Sequence, residues 1–422
     1  MDIGQDLRCA APPFRRRRRL YFGWQVVAAS FLVALFAWGF GLYGTGIYLA
    51  ALRARTGWSV SLISAATTFY FLSGALFILA VPDLLRRLGA RGTILVGAAA
   101  MALAVAAIAW VESPWQLFAD YLLLSVGWAT MTSTTITTII APWFLRRRGL
   151  AISIALNGAS CGGVVVAPAL ALLTGRFGFA RGASLMLAAM LLVLVPAVLL
   201  FLRFERPEQI GLRADGEPHS PNVAAARMAP QPAQAPARFE VLRSFRFWTI
   251  AAPFALVLLA QVGFLTHQFA LVSPLLGRDG AGAAIAVTTI AAITGRLSLG
   301  LVVDRLDLRR VSAAVFACQI VALFGMEATM TSPAALYLGS ALYGLCVGNV
   351  ITLPPLLVQR EFPASFFATV MALATAMGQV TYAFGPALLV RDGTGGYGAA
   401  LLLCAALESI AAALVLIRAG RQ

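Results

Sequence analysis

The chain has 422 residues, 60% of them hydrophobic and 12% charged, with a mean hydropathy of +0.85. A soluble domain carries about 25% charged residues, so a water-soluble globular fold is excluded and a protein of many membrane spans is indicated. All 32 basic residues are arginine and the net charge is +15; without lysine there is no Walker-type phosphate loop, and two histidines with five unclustered cysteines make a zinc site unexpected.

Residues 1–21 form a basic segment, with Arg15 to Arg19 directly before the first apolar run. That run is too long for a signal-peptide core, and no small-residue cleavage site follows it, so it is read as a span. The apolar runs predict twelve spans, near 22–50, 59–81, 92–111, 115–141, 150–174, 182–203, 247–272, 281–303, 310–329, 334–358, 364–390 and 398–417. Each is about 20–29 residues, enough for ~30 Å of hydrocarbon with some tilt. They divide into an N-terminal half of six (22–204) and a C-terminal half of six (247–417). Between them, 205–246 is rich in proline and too poor in apolar residues to fold alone, and it reads as a linker. Residues 418–422 form a short tail. The expected fold is therefore an all-α membrane protein of twelve helices in two pseudo-symmetric six-helix bundles.

With these spans, 25 arginines fall on the side of the chain ends, 6 on the other, and Arg296 lies within a span. By the positive-inside rule both ends face the cytoplasm, in a multi-pass inner (cytoplasmic) membrane protein. The excess charge is thus an orientation signal near anionic lipid, and no nucleic-acid partner is expected.

An internal repeat appears at an offset of 221: Gly74 and Asp83 map onto Gly295 and Asp304, and Pro142 onto Pro363. Duplicated halves are a transporter arrangement, with substrate held between them near the midplane. The stretch from Gly295 and Arg296 through Gly300 to Asp304-Arg305, followed by Arg309-Arg310, resembles the G-x-x-x-D-R loop of the major facilitator superfamily. The first-half counterpart is degraded, with Leu79 for the glycine and Leu84 after Asp83, although Arg86, Arg87, Gly89 and Arg91 keep the remainder. Asp83, Arg86, Arg87, Asp304 and Arg305 are the expected gating-loop residues, pairing in one conformation and separating in the other.

A narrower resemblance rests on Tyr21-Phe22-Gly23-Trp24 and on Trp143 to Ala151 followed by Asn157 to Gly163. The second stretch is similar to a signature of the monocarboxylate transporters and their oxalate/formate-antiporter relatives, with Ser153 at its usual first glycine. The resemblance implies transport of small organic acids, commonly coupled to protons. The coupling aspartate of the animal carriers corresponds to Ala292, and the functional lysines of both branches are absent. One cation remains, which suits a monoanion better than a dianion.

Arg296 lies about eight residues, ~12 Å, from the end of span eight. An arginine at that depth is costly unless it is paired or faces water, and its planar fork can hold a carboxylate; the resemblance gives the matching arginine to substrate. Tyr121 shares one face of span four with Ser125, Trp128 and Thr132. Asn157, Asn349, Gln379 and Tyr382 are further polar candidates for the substrate site. His267 is the candidate proton carrier. Glu408 lies mid-span in the last helix, which the resemblance places at the periphery; Asp120 and Glu327 are expected at water-reached span ends. The leading expectation is a secondary transporter of a small monocarboxylate, monomeric and possessing no cofactor, with protons as a candidate co-substrate. An exporter of amphipathic compounds or of a pathway metabolite is the alternative within transport, and a non-transporting membrane sensor the remote one. No paired carboxylates or nucleophile–histidine spacing suggest an enzyme.

Overall fold

A computed structural model of the chain describes residues 21–216, 237–328, 332–385 and 398–418. Among them, eleven helices are long and apolar enough to cross a membrane. The second, Val60–Trp110, has 51 residues, about 77 Å at ~1.5 Å per residue, more than twice the hydrocarbon thickness. It turns at Gly89, whose φ of 67° and ψ of 179° lie where only glycine sits without strain. Divided there, it supplies two spans and the total is twelve. The loops expected at 82–91 and 273–280 thus contract to single-residue turns, the second at Gly277.

The spans are α1 (Phe22–Tyr43), α2 (60–88), α3 (90–110), α4 (Pro114–Ile140), α5 (Arg148–Phe177) and α6 (Phe179–Phe201) in the first half. The second half holds α7 (Phe245–Gly277), α8 (Asp279–Arg305), α9 (Leu308–Ala328), α10 (Pro333–Glu361), α11 (Ala364–Tyr382) and α12 (Gly398–Leu416). Tyr21 at the start of α1 and the end of α12 lie on one side, which we call the arginine-rich face. Residues 386–390 of the expected eleventh span, like Arg15 to Arg19, lie outside the described residues.

Helices in lipid associate through close packing and buried polar bonds rather than a hydrophobic drive, and both are visible here. The halves meet where α5 packs on α8 and where α11 packs on α2 and α4. In the second half, Arg309 at the start of α9 is only 5% exposed. It pairs with Glu361 at 2.7 Å and donates to Thr249 Oγ1 and to the carbonyl oxygens of Val415 and Ile417. This arginine, one of those counted as marking topology, ties α7, α9, α10 and the end of α12 together.

Part of the segment after α6 is docked. Asp215 adopts φ 62°, and its Oδ2 accepts the backbone N–H groups of Leu145 and Arg146 at 3.1 and 2.9 Å. Its own N–H donates to the Trp143 carbonyl at 2.9 Å, and the Tyr21 hydroxyl donates to the same oxygen at 2.8 Å. Burial, then the nearby Asp215 and Glu208 charges, push the Tyr21 hydroxyl up, so it remains a donor.

Candidate functional site

Between the halves lies a cavity of about 170 Å³. At ~30 Å³ of liquid volume per water it has room for about six water molecules. The first half contributes Trp38 and Tyr43 from α1, Trp128 and Thr132 from α4, and Ser160 from α5. The second half contributes Phe254 and Gln261 from α7, Arg296 from α8, Val350 from α10, and Gln379 and Tyr382 from α11. The walls are therefore mostly aromatic and aliphatic, with a single cation among them.

Arg296 is 2% exposed, and among the described residues its hydrogen-bond partners are all neutral oxygens. Nε donates to the Gly348 carbonyl at 2.9 Å within its own half. Nη1 reaches across to α5, donating to the Leu156 carbonyl at 2.7 Å, Asn157 Oδ1 at 2.9 Å and Ser160 Oγ at 3.4 Å. Nη2 makes no hydrogen bond among the described residues, and no carboxylate pairs with the guanidinium there. Ala292, at the position where the resemblance would have an aspartate, is buried.

Gln379 is the second polar element of the wall. Its Oε1 accepts from Trp128 Nε1 at 2.7 Å, and its Nε2 donates to the Phe71 carbonyl at 2.7 Å, so α11 is bonded to both α4 and α2. Tyr382 stands one turn further on, edge-on to Phe71 at 5.4 Å between ring centres. On the arginine-rich side of this level, Thr134 donates to Thr375 Oγ1 at 2.8 Å. Further out, Asp304 accepts the N–H of Gly149 through both oxygens at 3.1 and 3.2 Å. Ser153, which replaces the usual glycine of the signature, faces Gly300: a Cβ added there would lie 2.5 Å from Ser153 Oγ. These contacts join the halves below the cavity on that face.

The structure thus brings Arg296, Asn157, Gln379 and Tyr382 to the cavity or its immediate support. Other candidates fall elsewhere. Tyr121 is fully buried and packs edge-on to Tyr70, 6.1 Å between ring centres, inside the first half rather than on the cavity wall. Asn349 donates Nδ2 to the Leu345 carbonyl one turn back, and its buried Oδ1 has no partner. His267 is half-buried two residues beyond the wall residue Leu265, next to Gln268, which donates to Thr288 and Ser340. Glu408 is buried within the second half, accepting from the Tyr343 hydroxyl at 3.3 Å. Asp120 departs from expectation: it is 7% exposed, with Oδ2 buried and unpartnered, because α4 turns it inward rather than to the water at its end.

Of the gating-loop residues, Asp83 pairs with Arg86 and with Arg238 at 3.1 Å, while Arg87 is exposed. The pairing expected between Asp304 and Arg305 is not formed. Arg305 is exposed, and the loop is instead held by Arg360, which donates to the carbonyl oxygens of Leu306 and Asp304 at 2.7 and 2.6 Å. Arg309, Arg360 and the Trp128–Gln379 bond escaped sequence reasoning, since arginine at a span end signals orientation whether or not it is buried.

Two six-helix halves around a shared cavity is an arrangement with known counterparts. Residues 19–386 match the Major Facilitator Superfamily. The chain belongs to the major facilitator superfamily. It is a multi-pass membrane transporter of a small molecule and not an enzyme. A solved superfamily structure, the proton:xylose symporter XylE with 6-bromo-6-deoxy-D-glucose bound, shares the fold with a TM-score of 0.69 over 93% of this chain and 94% of that one, at 14% identity. The chain is 28% identical to mouse monocarboxylate transporter 11 over 411 residues, 91% of this chain and 84% of that protein. It is 25% identical to the gallate transporter of Pseudomonas putida over 424 residues, 94% and 92% of the two.

Proposed function

We propose that this protein moves a small monocarboxylate across the cytoplasmic membrane by alternating access, as a monomer with the arginine-rich face and both chain ends in the cytoplasm. The observation that carries the reading is Arg296. It is a buried cation on the cavity wall, bonded only to neutral oxygens, with Nη2 unused among the described residues. Such a group favours an anion, and its fork suits a carboxylate. A dianion would bring a second charge into a cavity with one cation and would leave it desolvated without a partner.

Size and lining narrow the class. About 170 Å³ is below the ~300–1,000 Å³ of pockets for drug-sized ligands, which favours a small acid over bulky amphipathic cargo. Trp38, Tyr43, Trp128, Phe254 and Tyr382 offer faces for an apolar or aromatic body. Two relatives bear names that point to carboxylates, one of them aromatic.

The same arginine supplies a coupling route. An incoming carboxylate competes with Leu156, Asn157 and Ser160 for the guanidinium, weakening the bond between α8 and α5 and easing the rocking of one half against the other. A proton-coupled cycle also needs a side chain that can carry the proton, and His267 is the one histidine within the spans.

The test is uptake into proteoliposomes across a panel of mono- and dicarboxylates, with and without a pH gradient. Arg296→Ala should lose monocarboxylate uptake while the protein still inserts; undiminished uptake in that variant refutes the assignment. Protection of cells from toxic amphipathic compounds, with no acid uptake by the parent, would point to an exporter instead.

A further inference from the structure

Gln261, on α7, is a polar wall residue that the sequence did not single out. It is 5% exposed and lines the central cavity. Its Oε1 accepts from Nε2 of the fully buried Gln319 on α9 at 3.3 Å, which draws the amide back into the second half. Its own Nε2 makes no hydrogen bond among the described residues. Gln319 Oε1 is sealed without a partner, whereas Gln261 Nε2 is not sealed and opens on the cavity.

Arg296 is held from the other side, with Nη1 bonded to α5 and Nη2 unused among the described residues. Gln261 lies sixteen residues before the Gly277 turn and Arg296 nineteen after it. Gln261 is therefore about three residues, ~4.5 Å, nearer the face away from the arginines. The two open donors stand apart across the cavity and do not converge on one oxygen.

An open donor in a mostly apolar wall selects cargo. Between transport cycles water can take the Nε2 hydrogens. A cargo that displaces this water must bring an acceptor to the same place or strand a buried donor, which is costly. The acceptor has to be neutral, since a second anionic group would lie away from the single cation. A hydroxyl fits best: it accepts from Nε2, and it would donate to Oε1 were the amide turned over.

We infer that Gln261 is a specificity-determining residue and that the preferred monocarboxylates carry a hydroxyl at the end remote from the carboxylate. The inference rests on the monocarboxylate reading above. Arg296 holds the carboxylate, Gln261 Nε2 donates to the hydroxyl oxygen, and Gln319 is a positioning residue that keeps the Gln261 amide in place. An acid with its hydroxyl on the carbon next to the carboxylate brings both groups to Arg296 and leaves Gln261 unmet.

The test is proteoliposome uptake of butyrate, 2-hydroxybutyrate and 4-hydroxybutyrate, and of benzoate against 4-hydroxybenzoate. The readout is the ratio of kcat/KM within a series, which a loss of total uptake common to both acids does not move. In the parent the remote hydroxyl should raise kcat/KM about fivefold or more, the gain from one net hydrogen bond, and the 2-hydroxy acid should show no such gain. Gln261→Met keeps the side-chain length and removes the donor, so the two acids of a pair should come within about twofold of each other. That change strands Gln319, so the double variant Gln261→Met with Gln319→Met, which removes both amides together, is measured beside it and should give the same ratio. Gln319→Met alone should lower the preference; an unchanged ratio removes its positioning role. A parent that favours neither remote hydroxyl, or a preference that Gln261→Met and the double variant both keep, overturns the inference and leaves the monocarboxylate reading standing. A parent that takes up no monocarboxylate overturns both.

Discussion

Nη1 of Arg296 on α8 donates to Oδ1 of Asn157 on α5 at 2.9 Å, so the cation of the cavity is held across the boundary between the two halves. Asn157→Asp would place a carboxylate where the amide oxygen now sits, giving the guanidinium an internal competitor for substrate. The expected result is a KM for monocarboxylate raised at least tenfold, about 1.4 kcal/mol in binding. Folding stability should change little, because the new charge is paired. Uptake kinetics and thermal unfolding measure the two; a KM equal to the parent's would remove Arg296 as the anion seat.

Gly300 on α8 and Ser153 on α5 meet in close small-residue contact across the seam. A Cβ at Gly300 would lie 2.5 Å from Ser153 Oγ and 2.7 Å from its Cβ. Gly300→Ala is therefore expected to cost about 1–3 kcal/mol through overpacking and to reduce uptake. Ser153→Gly, which restores the residue usual in the resembled signature, should rescue it. A double-mutant cycle should give a coupling above about 0.5 kcal/mol; simple additivity would contradict the contact.

The repeat-related aspartates should differ in consequence. Asp83 forms exposed pairs, with 42% of its side chain and 59% of the Arg86 side chain accessible, and such pairs contribute roughly 0–1 kcal/mol. Asp304 accepts the backbone N–H near the start of α5 and joins the two halves. Asp304→Asn should lower the maximal uptake rate several-fold, whereas Asp83→Asn should stay within about twofold, since little stability rests on such a pair. The opposite order in side-by-side uptake assays would show that the first-half loop is the main hold.

His267→Gln tests proton coupling. Imidazole is protonated at lower pH, so a cycle that loads its proton there speeds up as the outside is acidified. Glutamine cannot titrate, and the variant should lose acid stimulation while retaining substrate exchange at fixed pH. Equal stimulation in variant and parent would take the proton away from this residue.

The spans were legible because apolar run length and arginine placement report directly on bilayer thickness and membrane orientation. Arg296 stood out for the same reason, as the arginine that neither signal explained. Other features depend on neighbours distant in the chain. The turns at Gly89 and Gly277 are matters of backbone angle that hydropathy does not carry. A polar stripe on α4 shows helical spacing but not which part of it faces the cavity: Trp128 and Thr132 do, while Tyr121 packs on Tyr70. Asp120 was expected at a wet helix end and is enclosed, and Arg309 looked like any other orienting arginine until α7, α10 and α12 were seen around it.

The docking of Asp215 has a mechanical consequence. The backbone leaving α6 is pinned at Leu145 and Arg146, and Tyr21 fastens the start of α1 to the carbonyl that also holds the Asp215 N–H. The anchor of the segment after α6 therefore lies ahead of α5 and not at the end of α6. Asp215 thus fastens the described stretch after α6 to the approach of α5, the helix whose Asn157 accepts from Arg296.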